Sequence, residues 1–196
     1  MRRFATIGIL LLASASAGCA GVVAPDSSPP SGTPTGSPTS VVTPRSVFVV
    51  GDSNSTGFRG TLAEGLDAGE AWAAALPDSF FPIVQGWARD GATTADMRQA
   101  VRAGARADVL LIMAGTNDLI AGLAADAILA HVADIADGVE SPTVVLLAVA
   151  PLDALASEAA VLNDAFESLA RENGWDFLDP WAGMRRGDGT WIASWT

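Results

Sequence analysis

The chain contains few of the residues on which disulfides, metal sites and nucleic-acid interfaces depend. Its 196 residues include one cysteine and one histidine, which excludes an intrachain disulfide and leaves no Cys or His cluster for zinc. Its eleven basic residues, all arginine, stand against 22 acidic ones, giving a net charge of −11. Because so acidic a surface repels nucleic acid, we expect no nucleic-acid partner, and nothing in the composition points to a metal or a cofactor.

The apolar run near the N-terminus is too short to cross a membrane permanently. It covers residues 5–13, whereas a spanning helix needs about 20 apolar residues. Arg2 and Arg3 precede the run and small residues follow it, which is the pattern of an export signal. We therefore interpret residues 1–18 as a signal peptide and expect the protein to be exported.

The single cysteine, Cys19, follows Ser16, Ala17 and Gly18 in an arrangement that resembles a bacterial lipobox. In a lipobox the cysteine is acylated and becomes the first residue of the mature protein, although Ser16 stands where leucine is usual. The alternative is ordinary cleavage after Ala17, which would give a secreted protein with a free thiol. A lone exposed thiol is a liability in an exported protein, which favours lipidation of Cys19 on the outer face of the cell membrane.

The segment after the cysteine has the composition of a tether. Residues 20–45 are rich in Pro, Ser, Thr and Gly and bury too little apolar surface to fold. We assign residues 19–45 to the lipidated cysteine and its linker, and residues 46–196 to one folded domain. We expect this domain to be a monomer whose only membrane contact is the N-terminal lipid.

Short apolar runs alternate with longer helical patterns from residue 46 onward. The runs at 46–50, 82–88, 108–114, 143–149 and 175–178 predict strands. The segments at 61–76, 93–105, 123–139 and 153–173 predict helices. Repeated βαβ units of this kind predict an α/β fold, a three-layer α/β/α sandwich around a parallel sheet of about five strands.

Two local patterns refine the helix predictions. Thr93 or Thr94 is suited to cap a helix N-terminus, with Asp96 in the first turn. In the helix of residues 123–139, four apolar residues at spacings of four, three and four form one stripe that should face the core: Ile128, Val132, Ile135 and Val139.

Polar, glycine-rich segments follow three of the predicted strands. They are residues 51–54 (GDSN), 89–93 (RDGAT) and 115–118 (GTND). Because ligands on parallel sheets bind beyond the carboxyl ends of the strands, we expect these segments to meet at one rim. Ser53 would present a hydroxyl there, Gly91 a bare backbone N–H and Asn117 a side-chain amide. A serine oxygen with several donors nearby suits attack on an acyl carbonyl and stabilisation of the oxyanion.

The motifs GDSNSTG (51–57), DGATTADM (90–97) and GTND (115–118) resemble the first three sequence blocks of the SGNH, or GDSL, hydrolases. These are esterases and lipases on a flavodoxin-like α/β/α sandwich. The resemblance implies that Ser53 is the nucleophile, and that the N–H groups of Ser53 and Gly91 and the amide of Asn117 hold the oxyanion. It implies hydrolysis of a carboxylic ester in a small-molecule, glycan or lipid substrate, without a cofactor.

The general base and its carboxylate, which the resemblance places in a C-terminal Asp-x-x-His block, are absent from this sequence. We interpret the single histidine, His131, as a half-buried structural residue of its helix. Asp179 and Asp188 stand in no Asp-x-x-His setting and cannot replace the base.

The last residues of the sequence resemble the segment that leads into that block. We therefore expect the domain to be incomplete at its C-terminus and these 196 residues to be nearly inactive. The alternative interpretation is a non-catalytic binding lipoprotein on a degenerate SGNH fold.

Overall fold

The fold was obtained as a computed structural model, which describes residues 43–57, 72–77, 79–81, 83–101 and 104–192. The predicted signal peptide, Cys19 and the linker as far as residue 42 lie outside these residues, as does most of the helix predicted at 61–76. The end of that predicted helix is a 3₁₀ turn, Trp72–Ala75. Within the described ranges no helix is long and apolar enough to cross a membrane.

Parallel strands form a central sheet, as predicted. The described residues contain strands β1 (Ser46–Gly51), β2 (Ile83–Ala88), β3 (Ala105–Arg106), β4 (Val109–Met113), β5 (Val139–Glu140), β6 (Val144–Leu147) and β7 (Asp176–Leu178). The main sheet has the order β2-β1-β4-β6-β7, and β3 pairs with β5 separately. Counted along the main sheet alone, this is the 2-1-3-4-5 order of flavodoxin-like sheets.

Helices connect the strands. The described ones are α1 (Ser53–Thr56), α2 (Thr94–Ala100), α3 (Thr116–Ile120), α4 (Ala125–Asp137) and α5 (Ala156–Asn173). Thr93 caps α2 as predicted, and its capping box with Asp96 is complete. The helix predictions were wrong at two ends, where Ala105 and Val139 lie in the parallel pair β3–β5. At these positions the backbone hydrogen-bonding groups are paired between two strands instead of within a helix.

The apolar residues of the sheet alternate between its two faces, as strand geometry requires. In β4, Val109 and Leu111 belong to one apolar cluster, and Leu110 and Ile112 belong to the other. The second cluster includes buried side chains of α4 and α5 and all four residues of the predicted stripe, of which Ile128, Val132 and Ile135 lie on α4 and Val139 lies in β5. Cover on both faces explains why all five residues of β4 are buried.

The register of β1 with its two neighbours fixes where the polar segments emerge. Gly51, the last residue of β1, lies opposite Ala88 of β2 and Met113 of β4. Because all three strands are parallel and end at the same level, the residues that follow them leave the sheet at one rim.

Candidate active site

The turn after β1 places Ser53 at the first position of α1. Asp52 is the N-cap, and its carboxylate accepts a hydrogen bond of 2.9 Å from the N–H of Asn54. Its carbonyl oxygen accepts the N–H groups of Ser55 and Thr56 at 2.9 and 3.1 Å. The N–H of Ser53 takes part in none of these bonds, as expected for the first turn of a helix, and it lies beside the Ser53 hydroxyl.

Gly51 is required in this turn because no space remains for a side chain. A Cβ atom at this position would lie 2.1 Å from Oγ of Ser55 and 3.3 Å from the carbonyl oxygen of Met113. The strand can therefore pass directly into the turn only if its last residue is glycine.

The segment after β2 turns back across the end of β1. The N–H of Arg89 donates to the carbonyl of Gly51 at 3.3 Å, and the N–H of Ala92 donates to the carbonyl of Arg89 at 3.0 Å. Gly91 lies in this turn with φ of 75°, a left-handed conformation that glycine adopts without a Cβ penalty. No described atom lies within 4 Å of a Cβ built on Gly91, so the backbone conformation, rather than space, favours glycine there.

The capping box of α2 holds the far end of this segment. The carboxylate of Asp96 accepts the N–H of Thr93 at 3.0 Å and forms an ion pair of 2.9 Å with Arg89. The hydrogen bonds from the backbone and hydroxyl of Thr93, followed by the charge of Arg89, lower the pKa of Asp96. The segment that carries Gly91 is therefore tied to the first turn of α2.

Asn117, in the third segment, bonds directly to the second. Its side-chain amide nitrogen donates to the carbonyl of Ala92 at 2.9 Å, which places it beside Gly91 along the chain. A side-chain amide carries two N–H donors, so this bond leaves one for a ligand. The structure thus brings two of the three predicted oxyanion donors to neighbouring positions.

Side chains of α1 join the first segment to the other two. The amide of Asn54 donates to the hydroxyl of Thr116 at 3.4 Å, and the hydroxyl of Thr56 donates to the carboxylate of Asp90. All three polar segments are therefore in direct contact at one rim of the sheet.

Asp52 is a buried acid that the sequence did not single out. Its side chain is 0% exposed, and one carboxylate oxygen accepts both the N–H and the amide of Asn54. Within the described part of the chain nothing bonds its other oxygen, Oδ2. Burial raises the pKa of Asp52; the hydrogen bonds from Asn54 oppose this rise, and the nearby charge of Asp118 adds to it.

Asp118, Thr94 and His131 form a second buried polar cluster that sequence reasoning missed. The carboxylate of Asp118 accepts the N–H of Thr94 at 3.0 and 3.1 Å and its hydroxyl at 2.6 Å. The same hydroxyl lies 2.9 Å from Nδ1 of His131. His131 is half-buried on α4, in the state interpreted from the sequence, but its partner Thr94 lies 37 residues earlier and no local pattern indicates it.

The two C-terminal acids serve local turns. Asp179 follows β7, accepts the N–H of Trp181 at 2.9 Å and pairs with Arg185. Asp188 accepts the N–H and hydroxyl of Thr190 at 3.0 and 2.7 Å, bonds that lower its pKa. Among the residues described, no group of three or more His, Cys, Asp or Glu side chains is arranged to hold a metal ion.

Comparison with known proteins identifies the family. The sequence profile of the GDSL-like Lipase/Acylhydrolase family matches residues 49–196. A GDSL-like lipase from Bacteroides thetaiotaomicron VPI-5482 has 18% identity and a TM-score of 0.56, with coverage of 77% of this chain and 76% of that chain. AlinE4, an SGNH-hydrolase family esterase, has 18% identity and a TM-score of 0.53, with coverage of 70% and 76% respectively.

TesA has 22% identity and a TM-score of 0.50, with coverage of 76% of this chain and 89% of that chain. No curated protein matches the chain. At these identities the structural likeness establishes a common fold, whereas the family profile spans most of the chain, including all three polar segments. The chain therefore belongs to the GDSL-like lipase/acylhydrolase family, as the motifs at 51–57, 90–97 and 115–118 predicted.

Proposed function

We propose that this protein is an exported serine esterase that cleaves carboxylic esters through Ser53. The oxyanion would be held by the N–H groups of Ser53 and Gly91 and by the side-chain amide of Asn117. The observation that carries the proposal is the hydrogen bond from Asn117 to Ala92, because it holds the amide beside Gly91 in the rim where α1 presents Ser53.

In the first step Oγ of Ser53 forms a bond to the carbonyl carbon of the ester, and the carbonyl oxygen becomes an oxyanion. The oxyanion then expels the alcohol, and water releases the acyl group from Ser53 in the second half of the cycle. Three preorganised donors stabilise the developing charge, and loss of one such donor typically costs about 10²–10³ in rate.

A general base must accept the proton of Ser53, and family resemblance assigns this role to a His of an Asp-x-x-His block. In the described part of the chain the single histidine has Thr94 as its partner at Nδ1. In this proposal the described residues would supply the nucleophile and the oxyanion donors but not the base, so we expect slow chemistry from this sequence. The second candidate function is therefore a non-catalytic binding protein on the same fold.

A fluorophosphonate probe tests the assignment, because its adduct with a nucleophilic serine is stable and accumulates even when attack is slow. We expect mass spectrometry of the labelled chain to place the adduct on Ser53. Ser53→Ala should remove it, and Asn117→Ala should slow labelling by about 10²–10³.

Ser168→Ala is the matched control. Ser168 lies on α5, where its hydroxyl accepts a hydrogen bond from Arg171, and its loss should leave the labelling rate unchanged. Equal labelling of wild type and Ser53→Ala would overturn the assignment of the nucleophile. An intact, folded chain that binds ester analogues but never reacts would support the binding protein instead.

On the sequence alone, we further propose that Cys19 is lipidated and holds this esterase on the outer face of the cell membrane. A secreted form, cleaved after Ala17, is the alternative. The substrate class we propose is a small-molecule, glycan or lipid ester.

A further inference from the structure

We infer that His131 donates its Nδ1–H to Thr94, and that the chain of hydrogen bonds from His131 through Thr94 to Asp118 positions the oxyanion hole. The direction of these bonds follows from the buried cluster itself. The consequence for catalysis rests on the proposed function, so the experiments below separate the two.

The hydroxyl of Thr94 determines the direction of both bonds. It lies 2.6 Å from Oδ1 of Asp118 and 2.9 Å from Nδ1 of His131, yet it has only one proton to donate. Oδ1 of Asp118 also accepts the N–H of Thr94, and its 2.6 Å distance to the hydroxyl is typical of a hydroxyl that donates to a carboxylate, so the Thr94 proton points to Asp118. The hydroxyl oxygen must then accept from His131, and Nδ1 carries a hydrogen even when the ring is neutral.

The cluster connects the two segments that present the side-chain and backbone donors of the oxyanion hole. Asp118 directly follows Asn117 and binds both the N–H and the hydroxyl of Thr94. Asn117 binds the carbonyl of Ala92, which directly follows Gly91. Two neighbouring residues of α3 therefore hold two nearby residues of the Gly91 segment, and these bonds set the distance between the donors.

Burial makes this arrangement stiff. Thr94 and Asp118 are each 0% exposed, so water does not compete for their bonds, and a broken bond would leave a buried polar atom unpaired. Helix α3 has only five residues and few backbone bonds of its own. Its placement therefore depends on the side-chain bonds of Asn117 and Asp118.

His131 connects this cluster to the core. It lies on the 13-residue helix α4, whose Ile128, Val132 and Ile135 are completely buried. A histidine on a helix so firmly packed gives Thr94 a fixed donor. His131 is thus a positioning residue that acts through Thr94 and Asp118.

The tautomer of His131 can be measured without any activity. Because the chain has one histidine, a sample labelled with ¹⁵N-histidine gives a single pair of ring nitrogen signals in a long-range ¹H–¹⁵N spectrum. In neutral imidazole the protonated and bare nitrogens differ widely in chemical shift. We expect the protonated nitrogen to be Nδ1 in the wild type and in Thr94→Ser, whereas Thr94→Val should shift the population towards the Nε2–H tautomer.

An Nε2–H tautomer in the wild-type protein would overturn the inference, because the Thr94 proton would then point to His131. Equal tautomer populations in Thr94→Val and wild type would also overturn the inference, since the tautomer would then not depend on the hydroxyl.

The positioning role is tested by the rate at which the fluorophosphonate labels Ser53, measured per folded molecule. Small displacements of catalytic groups can cost as much as about 10²-fold in rate, and we expect Thr94→Val and His131→Leu to lose about 10- to 100-fold. Thr94→Ser restores the hydroxyl, and His131→Asn places an amide donor near the position of Nδ1, so both should recover most of the rate.

The possible failures are distinguishable. A normal labelling rate in folded Thr94→Val would overturn the positioning role, even if the tautomer is as inferred. Undiminished labelling of Ser53→Ala would instead contradict the proposed function, while the NMR result would still decide the direction of the hydrogen bonds.

Discussion

Asp52, the residue before the predicted nucleophile, combines a structural role with an unfavourable charge. Its bonded oxygen caps α1 through the N–H of Asn54, and burial raises its pKa above the ordinary value of 3.8. Folding therefore favours the protonated form of the Asp52 side chain over the ionised form. The stabilisation is fully present below the ordinary pKa and is lost as pH rises through the raised one.

Asp52→Asn should remove the loss of stability that occurs as pH rises. The asparagine oxygen can still accept the N–H of Asn54, but the side chain no longer ionises. We expect the melting temperature of the variant to rise relative to that of the wild type as pH increases from about 4 to 8. This range starts near the ordinary pKa of Asp. Thermal unfolding followed by circular dichroism across this range measures the difference.

Asp108→Asn is a control of opposite sign. The N–H and hydroxyl of Ser46 donate to the Asp108 carboxylate and lower its pKa, so its stabilisation is present above the ordinary pKa and lost as pH falls through the lowered one. The melting temperature of Asp108→Asn should therefore fall further below that of the wild type at neutral pH than at acidic pH. A difference between Asp52→Asn and wild type that stays constant with pH would show that Asp52 does not carry the raised pKa.

Single residues also show what the sequence could and could not predict of the site. Ser53, Gly91 and Asn117 lie in contiguous motifs that follow strands, and the rule for parallel sheets brings them to one rim. The bonds of Thr94 to Asp118 and His131 join distant segments, and Asp52 is distinguished by its complete burial. A polar residue in a sequence gives no sign that it will be completely buried, so these roles required the structure.

At the scale of an element, β2 depends on one glycine. Gly86 has φ of 156°, and a Cβ atom there would lie 2.1 Å from the carbonyl oxygen of Val49 in β1. The two residues are paired in the register of β1 and β2. Any side chain at this position forces the strands apart, and β2 is the edge strand that leads to Gly91.

We expect Gly86→Ala to lower the free energy of unfolding by more than the roughly 0.5–3 kcal/mol of most substitutions, because backbone atoms rather than a mobile side chain block the methyl group. Chemical denaturation gives the value. Gln85→Ala, at the exposed neighbouring position, is the matched control and should change stability by no more than about 0.5 kcal/mol. Equal denaturation midpoints for Gly86→Ala and wild type would contradict the close approach of the strands.

Element prediction from the sequence succeeded where periodicity was long. Five or more residues are covered by each of the apolar runs that became β1, β4 and β6, and by the stripe centred on α4. The capping residue of α2 stands at the start of a helical pattern. Prediction failed at β3 and β5, since each has two residues and their pairing joins Ala105 to Val139. So short a segment has no measurable period, and its partner is set by the tertiary fold.

At the scale of the whole molecule, charge and the proposed lipid have separate effects. A net charge of −11 repels anionic lipid headgroups, so attachment to a membrane would depend on the acyl chains on Cys19. Attachment of this kind is insensitive to salt, unlike electrostatic binding.

Cys19→Ser should move the protein from the membrane fraction to the soluble fraction of expressing cells, because serine at that position cannot be lipidated. Immunoblots of fractions washed with high salt measure the shift. Ser53→Ala is the control and should remain with the membrane. A Cys19→Ser protein that still sediments with membranes through the wash would contradict the lipid anchor.

The position of β1 between β2 and β4 has a kinetic consequence. Its register with β4 starts at the pair Val47 and Val109, which are separated by about 60 residues, and contacts this distant in sequence slow folding because a long loop must close first. The strand that leads to Ser53 is made before β4 and cannot be paired on both sides until β4 is available. Until that pairing is complete the valines of β1 lack one of their neighbouring strands, and transiently exposed apolar strands of this kind are prone to aggregate.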